Sequence, residues 1–282
     1  MLDLTSVRAA AEAIRSASGL LIGAGAGMGV DSGLPDFRGT EGFWRAYPPY
    51  ARLGVHFEEM ADPIHFQRDP SFAWGFYGHR RNLYRATVPH RGFEILRGFA
   101  EPMKAGVFVF TSNVDGQFQR AGFLDDRIVE CHGAIEYEQC MESCGAGIWR
   151  ATEGATVDVD EETMRAVEPL PRCAECDAVA RPNILMFGDW SWDAARTQAQ
   201  MQQFASWSRS VVPSEVTVIE LGAGTAIPTV RGVSDRWEAA GATLIRVNPR
   251  ESEVYREGSI ALRAPAGEAL QRVLDVYIEL AG

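Results

Sequence analysis

Five short apolar runs constrain the fold of this chain more than any other feature: residues 20–22, 107–110, 128–131, 216–221 and 243–247, each of strand length and mostly β-branched or aromatic. Helical patterns separate them, and residues 5–17 are rich in helix formers that end at Gly19. Runs this apolar read as central strands covered on both faces, so an α/β fold with a mostly parallel sheet is expected. Each run is followed at once by glycines or polar residues: Gly23-Ala-Gly-Ala-Gly-Met-Gly29, Thr111-Ser-Asn-Val-Asp115, His132-Gly133, Gly222-Ala-Gly-Thr225 and Asn248-Pro249. In an open parallel sheet the carboxyl ends of all strands share one edge, where ligands bind. The five segments should therefore converge on one crevice.

Two stretches break the α/β rhythm. Residues 43–84 hold much of the aromatic content and read as irregular helices; residues 136–181 hold four cysteines around an acidic segment, 156–162. Both read as insertions into a large domain of residues 1–42, 85–135 and 182–282, the helical insertion 43–84 and the cysteine module 136–181 together forming a small lobe. A cleft between lobes is a common ligand site.

The 27 basic and 38 acidic side chains give a net charge of -11, which argues against a sequence-independent grip on nucleic acid or an anionic membrane. No apolar run reaches the roughly 18 residues of a spanning helix, and the N-terminus lacks a basic segment followed by an apolar one. A cytoplasmic protein is expected, with no nucleic acid or membrane partner; the oligomeric state is not legible.

Five cysteines are an odd number for a disulfide framework. Cys140-Met-Glu-Ser-Cys144 and Cys173-Ala-Glu-Cys176 form two close pairs, a pattern that lets four thiolates surround one Zn²⁺; two redox-active pairs are the alternative. Four thiolates leave no open position, so such a metal is structural. Cys131 lies outside the module, beside His132, and reads as a buried core thiol or else a nucleophile.

The glycines after the first run suit a phosphate-binding turn at a helix N-terminus, because only glycine brings backbone N–H groups close to a pyrophosphate. The G-x-G-x-x-G of a hydride-transferring dehydrogenase is absent, since Met28 or Val30 stands where the third glycine would be. Beyond the loop, Asp31-Ser-Gly-Leu-Pro-Asp-Phe-Arg-Gly39 adds Phe37, which would cover a ring face, and Arg38, which would pair with phosphate. The alternative is a surface loop with a solvated arginine.

Residues 25–39, Thr111-Ser-Asn-Val-Asp115, His132-Gly133, the two cysteine pairs, Arg181-Pro-Asn-Ile-Leu-Met-Phe-Gly188 and Val247-Asn-Pro249 together resemble the sirtuins, NAD-dependent protein deacylases, in motif order and approximate spacing over nearly the whole chain. The resemblance implies a Rossmann-like parallel-sheet domain with a small zinc-binding and helical lobe. It implies NAD as co-substrate, one structural Zn²⁺ on Cys140, Cys144, Cys173 and Cys176, and an acyl-lysine protein or peptide as partner.

In that family the acyl oxygen attacks the nicotinamide ribose as nicotinamide leaves. Asn113 and Asp115 match the positions that bind the ribose and the carboxamide, and His132 matches the general base. Gly25, Ala26, Gly27, Asp36, Phe37, Arg38, Ser112, Gly222, Gly224 and Asn248 match the cofactor-binding positions. Met186, Phe187 and Gly188 match the strand that pairs with the substrate peptide. Tyr77-Gly-His-Arg80 matches a Tyr-x-x-Arg of sirtuins that prefer acidic acyl groups such as succinyl, where arginine offers a fork to the carboxylate. An aromatic residue packed inward beside a solvated arginine is the alternative.

The chain departs from the family's usual residues at Gly29, for a hydroxyl side chain; at Ser112, for glutamine; at Gly222-Ala-Gly224, for Gly-Thr-Ser; and at Gln117-Phe118, for Leu-His. The departures keep two readings open beside the deacylase: an NAD glycohydrolase or ADP-ribosyltransferase, and a catalytically weak NAD-binding sensor.

Overall fold

The computed structural model describes residues 2–35 and 39–281. The strands are β1 (Gly19–Ala24), β2 (Val107–Thr111), β3 (Ile128–Glu130), β4 (Gly133–Cys140), β5 (Ile148–Arg150), β6 (Val159–Asp160), β7 (Arg165–Ala166), β8 (Ala180–Ile184), β9 (Val216–Leu221), β10 (Thr243–Val247) and β11 (Ile260–Leu262). Six of them form one sheet in the order β11-β10-β9-β1-β2-β3, with every pair parallel. All five apolar runs are strands of this sheet. The third stops at Glu130, one residue earlier than expected, and β11 is a three-residue edge strand too short to stand out in the sequence.

Alternation along the strands sorts the side chains onto two covered faces. Leu20, Ile22, Val109, Ile219 and Ile245 face one core with the helices Leu4–Ser16, Arg91–Ala100 and Ala266–Glu279. Leu21, Phe108, Phe110, Val218 and Leu244 face the other, with the helices Ala195–Ser210 and Thr229–Ala239. Each fully buried aliphatic side chain contributes roughly 1.5–3 kcal/mol. Buried charges in the strands are matched by register: Glu220 lies opposite Arg246, with Nε to Oε1 at 2.7 Å, and Arg246 also reaches Asp235 at 2.6 Å.

From β1 the chain runs to β2 and β3 on one side, then returns to β9 on the other. The switch point of this Rossmann-type order therefore lies at β1, where a crevice opens beyond the strand ends.

β4 pairs antiparallel with β5 and β8, and β6 with β7. The aromatic stretch folds into short helices and one long one, Pro70–Ala86, which starts with Asp69 accepting the Phe72 N–H at 3.1 Å and proline in its first turn. Its core gathers Phe43, Tyr47, Tyr50, Trp74, Phe76 and Tyr77 with Val114, Ile135, Ile184 and Met186. The Trp74 indole N–H donates to the Ala180 carbonyl at 2.8 Å, tying the helix to β8. Val114 follows β2, so this aromatic core meets the large sheet at its carboxyl edge. Among the described residues no helix is long and apolar enough to cross a membrane.

Candidate active site

At the switch point the loops after β1 and β9 touch through their backbones. The Gly25 N–H donates to the Leu221 carbonyl at 3.0 Å and the Gly27 N–H to the Gly222 carbonyl at 3.1 Å. A Cβ on Gly27 would lie 2.6 Å from the Gly222 Cα, and Gly222 itself has φ +60°. Glycine is thus required here for one loop to approach another, a reason the sequence alone did not separate from approach to a pyrophosphate. Ala26 is exposed beside them. Asn248 is buried: its Nδ2 donates to the Ala223 carbonyl at 3.0 Å, and its Oδ1 accepts the N–H groups of Arg250 and Glu251, each at 3.0 Å. Its side chain knots the β9 and β10 loops together, with Gly224 following, partly exposed. Asp36, Phe37 and Arg38 lie outside the described residues.

The β2 end is pinned to the β1 end. Asn113 Nδ2 donates to the Gly25 carbonyl at 3.0 Å, its backbone N–H to Thr111 Oγ1 at 3.0 Å, and the Ser112 N–H to the Ala24 carbonyl at 3.1 Å. Asp115 Oδ1 accepts the Gln117 N–H at 2.9 Å. Burial pushes the Asp115 carboxyl up to about 6; the Gln117 N–H and the Arg80 charge oppose the rise and the Glu130 charge adds to it.

His132 follows β3, and its carbonyl accepts the Leu185 N–H at 2.9 Å. Burial holds its imidazole below the ordinary range, against a backbone hydrogen bond with Ser112, so the ring is neutral and able to accept a proton at pH 7. Asn113, Asp115 and His132 thus come together at the ends of adjacent strands. The neighbouring Cys131 is half-buried, packed against the core of Leu21 and Phe110 rather than within it, and the burial it has pushes its thiol up to about 12, which disfavours a nucleophile.

Tyr77 and Arg80 lie on the helix Pro70–Ala86, with Tyr77 in the aromatic core. Tyr77 is buried; Arg80, 7% exposed, folds onto Tyr84, whose hydroxyl accepts from Nε at 2.9 Å and from Nη2 at 2.8 Å, and its guanidinium lies 5.0 Å from the Phe76 ring centre. A solvated arginine is excluded. Met186 shares that core, whereas Phe187 is 40% exposed, with its N–H bonded to the Ala61 carbonyl at 2.9 Å. A peptide strand pairing along 186–188 would use other backbone groups than this N–H.

The four cysteine sulfurs lie within 4.8 Å of one another, with Cys140 and Cys176 3.5 Å apart and Cys144 and Cys173 3.5 Å apart. Tetrahedral Zn²⁺ with bonds of about 2.3 Å sets its sulfurs just under 4 Å apart, so the set fits a structural zinc. β4 delivers Cys140, and the Cys173 N–H and carbonyl are fixed by Ala178 and Asp177 at 2.8 and 2.9 Å.

A family model described as the Sir2 family matches residues 25–209. The chain belongs to the Sir2 family. It is 29% identical over 259 residues to an NAD-dependent protein deacylase of Aquifex aeolicus, covering 92% of this chain and 95% of that one. It is 29% identical over 272 residues to NAD-dependent protein deacylase 1 of Pseudomonas aeruginosa, covering 95% and 98%. The fold matches a mutant Sir2 homologue in complex with ADP-ribose at a TM-score of 0.73 and 23% identity, over 96% of this chain and 97% of that one.

Within this Sir2 chain the departures have local causes and consequences. A Cβ on Gly29 would sit 3.6 Å from Asp115 Oδ2, so the glycine withholds a hydroxyl from that carboxylate. Gln117 accepts the Ser32 hydroxyl at 3.0 Å, and Phe118 packs against Phe93 and Phe123, with centroids 5.0 and 5.2 Å apart. One pair escaped the sequence reading: Glu130, buried within β3, is ion-paired with Arg196, whose guanidinium lies 4.0 Å from the Tyr137 ring centre. An acid inside an apolar run was its only signal.

Proposed function

We propose that this Sir2 chain is an NAD-dependent protein-lysine deacylase of the cytoplasm, releasing nicotinamide and an O-acyl-ADP-ribose. The observation that carries the reading is the assembly of Asn113, Asp115 and His132 at the ends of β2 and β3, beside the switch point. NAD supplies the reactive ribose carbon and the nicotinamide leaving group. Asn113 and Asp115 orient the ribose and carboxamide, Gly25, Ala26, Gly27, Ser112, Gly222, Gly224 and Asn248 line the cofactor side with Asp36, Phe37 and Arg38, and His132 accepts a proton from a ribose hydroxyl. Met186, Phe187 and Gly188 pair with the substrate peptide. In this reading residues 43–84 and 136–181 form the small lobe, and four thiolates holding zinc suit a reducing compartment.

Tyr77 and Arg80 bind the acyl end, and succinyl-lysine is processed at least as well as acetyl-lysine. A guanidinium packed among Phe76, Tyr77 and Tyr84 supports this, because low-dielectric surroundings strengthen its attraction for a carboxylate. The test is the ratio of succinyl- to acetyl-peptide turnover before and after Arg80→Met. A fall of about ten-fold or more is expected for loss of a charge-assisted pair; an unchanged ratio would exclude Arg80. The short Ser112 favours a second reading, NAD hydrolysis, in which the loosely held sugar is captured by water.

A further inference from the structure

Trp190 is 100% exposed, yet its turn is rigidly built. On one side Asp189, its carboxylate buried with the Arg181 guanidinium, accepts Arg181 Nη2 at 2.7 Å and the Met186 N–H at 3.4 Å on one oxygen, and the Ser191 N–H and hydroxyl at 3.1 and 3.2 Å on the other. On the other side Gln139 Nε2 donates to the Ser191 carbonyl at 2.8 Å. The residues flanking the indole are therefore fixed while the indole projects into solvent. A single exposed apolar residue is ordinary. Just before the turn, which Gly188 makes with φ +65°, Ile184 and Met186 are buried, whereas Leu185 and Phe187 are 38% and 40% exposed.

Acidic residues stand next in sequence to the groups that hold Phe187. Phe57 meets the Phe187 ring edge-on with centroids 6.1 Å apart, and the next residue on its helix is the exposed Glu58. Asp62 follows Ala61, whose carbonyl holds the Phe187 N–H. An exposed π face on a chain of net charge -11 complements a cation on a flexible stem.

We propose that Trp190 is a specificity-determining residue that stacks on an arginine or lysine flanking the acyl-lysine of the substrate, with the exposed Glu58, next to the Phe57 that meets Phe187, adding to the attraction. The inference rests on the deacylase reading for the place of the peptide. The clamp at Asp189 fixes the backbone that carries the indole relative to 186–188, so stacking orders only the indole's own side-chain torsions.

The test measures binding, independently of turnover. Fluorescently labelled acyl-lysine peptides differing only in an Arg, Leu or Glu beside the acyl-lysine are titrated by anisotropy against the zinc-loaded protein, its Trp190→Ala and its Glu58→Gln variants. The Arg peptide should bind wild type tightest, Trp190→Ala should weaken that peptide alone by about three-fold, and Glu58→Gln should narrow the Arg-to-Glu ratio. A Leu peptide bound tightest, or a peptide ranking unchanged in Trp190→Ala, overturns the proposal. So does a Trp190→Ala variant that changes oligomeric state by light scattering while keeping the ranking, which makes the indole a contact between copies of the chain. Ranked binding with no deacylation in the presence of NAD sinks the deacylase reading and leaves Trp190 as a peptide reader; binding of none of the peptides sinks both.

Discussion

His132 and Asp115 set the pH range in which the site can work. His132 titrates below the ordinary imidazole range and Asp115 at about 6, both because of burial, so the neutral base and the carboxylate coexist only above that region. Acyl-peptide turnover should fall on the acid side with a midpoint near or below about 6.5. No matching loss should occur up to pH 8, and a rate that instead rises below pH 6 would remove His132 as a base. Asp115 also carries a cost in stability. Its folded pKa lies above the carboxylate's ordinary 3.8, so its contribution is full below that value and is lost as pH rises through about 6. Asp115→Asn should therefore melt higher than wild type at pH 7.5 and about equally at pH 4, while losing NAD processing; equal melting at both values would show that burial does not penalise the charged carboxylate. Gly29→Ser should place a hydroxyl against Asp115 and move the acid limb to lower pH, read from a pH–rate profile. These polar residues were legible because they directly follow apolar runs. The Glu130–Arg196 pair was not, since Arg196 lies 66 residues away and nothing local marks it as the partner.

The cysteine module was legible as spacing, and the reason is local: each pair lies on its own short loop. What spacing cannot give is the antiparallel β4–β8 pairing that brings the loops together, with Cys140 opposite Ala180. Zinc analysis should find one metal per folded chain. Chelation should lower the melting temperature and loosen the two cysteine loops, because the metal ties them together beyond the end of the β4–β8 pair. Folded, active protein with no zinc would contradict the assignment. The helix Pro70–Ala86 was expected only as irregular helix. Its boundaries depend on Asp69 and Pro70, while its packing depends on aromatic partners far away in sequence such as Met186.

For the whole molecule, the parallel sheet was readable from five runs, and its strand order was not. The order follows from which helix packs on which face, as with Leu20 and Leu21 facing opposite cores. That order makes β1 the switch point, bringing Asn113 and the β9 loop each within hydrogen-bonding distance of the Gly25–Gly27 loop. The acidic surface leaves binding of an anionic co-substrate to a few placed groups. In the proposed reaction this site couples nicotinamide release to removal of an acyl group from lysine. Mass spectrometry of the zinc-loaded protein with NAD, in the presence and absence of an acyl-lysine peptide, tests it directly. Nicotinamide, deacylated peptide and O-acyl-ADP-ribose in equal amounts, formed only when the peptide is present, are the predicted result; free ADP-ribose formed at the same rate without peptide would contradict it.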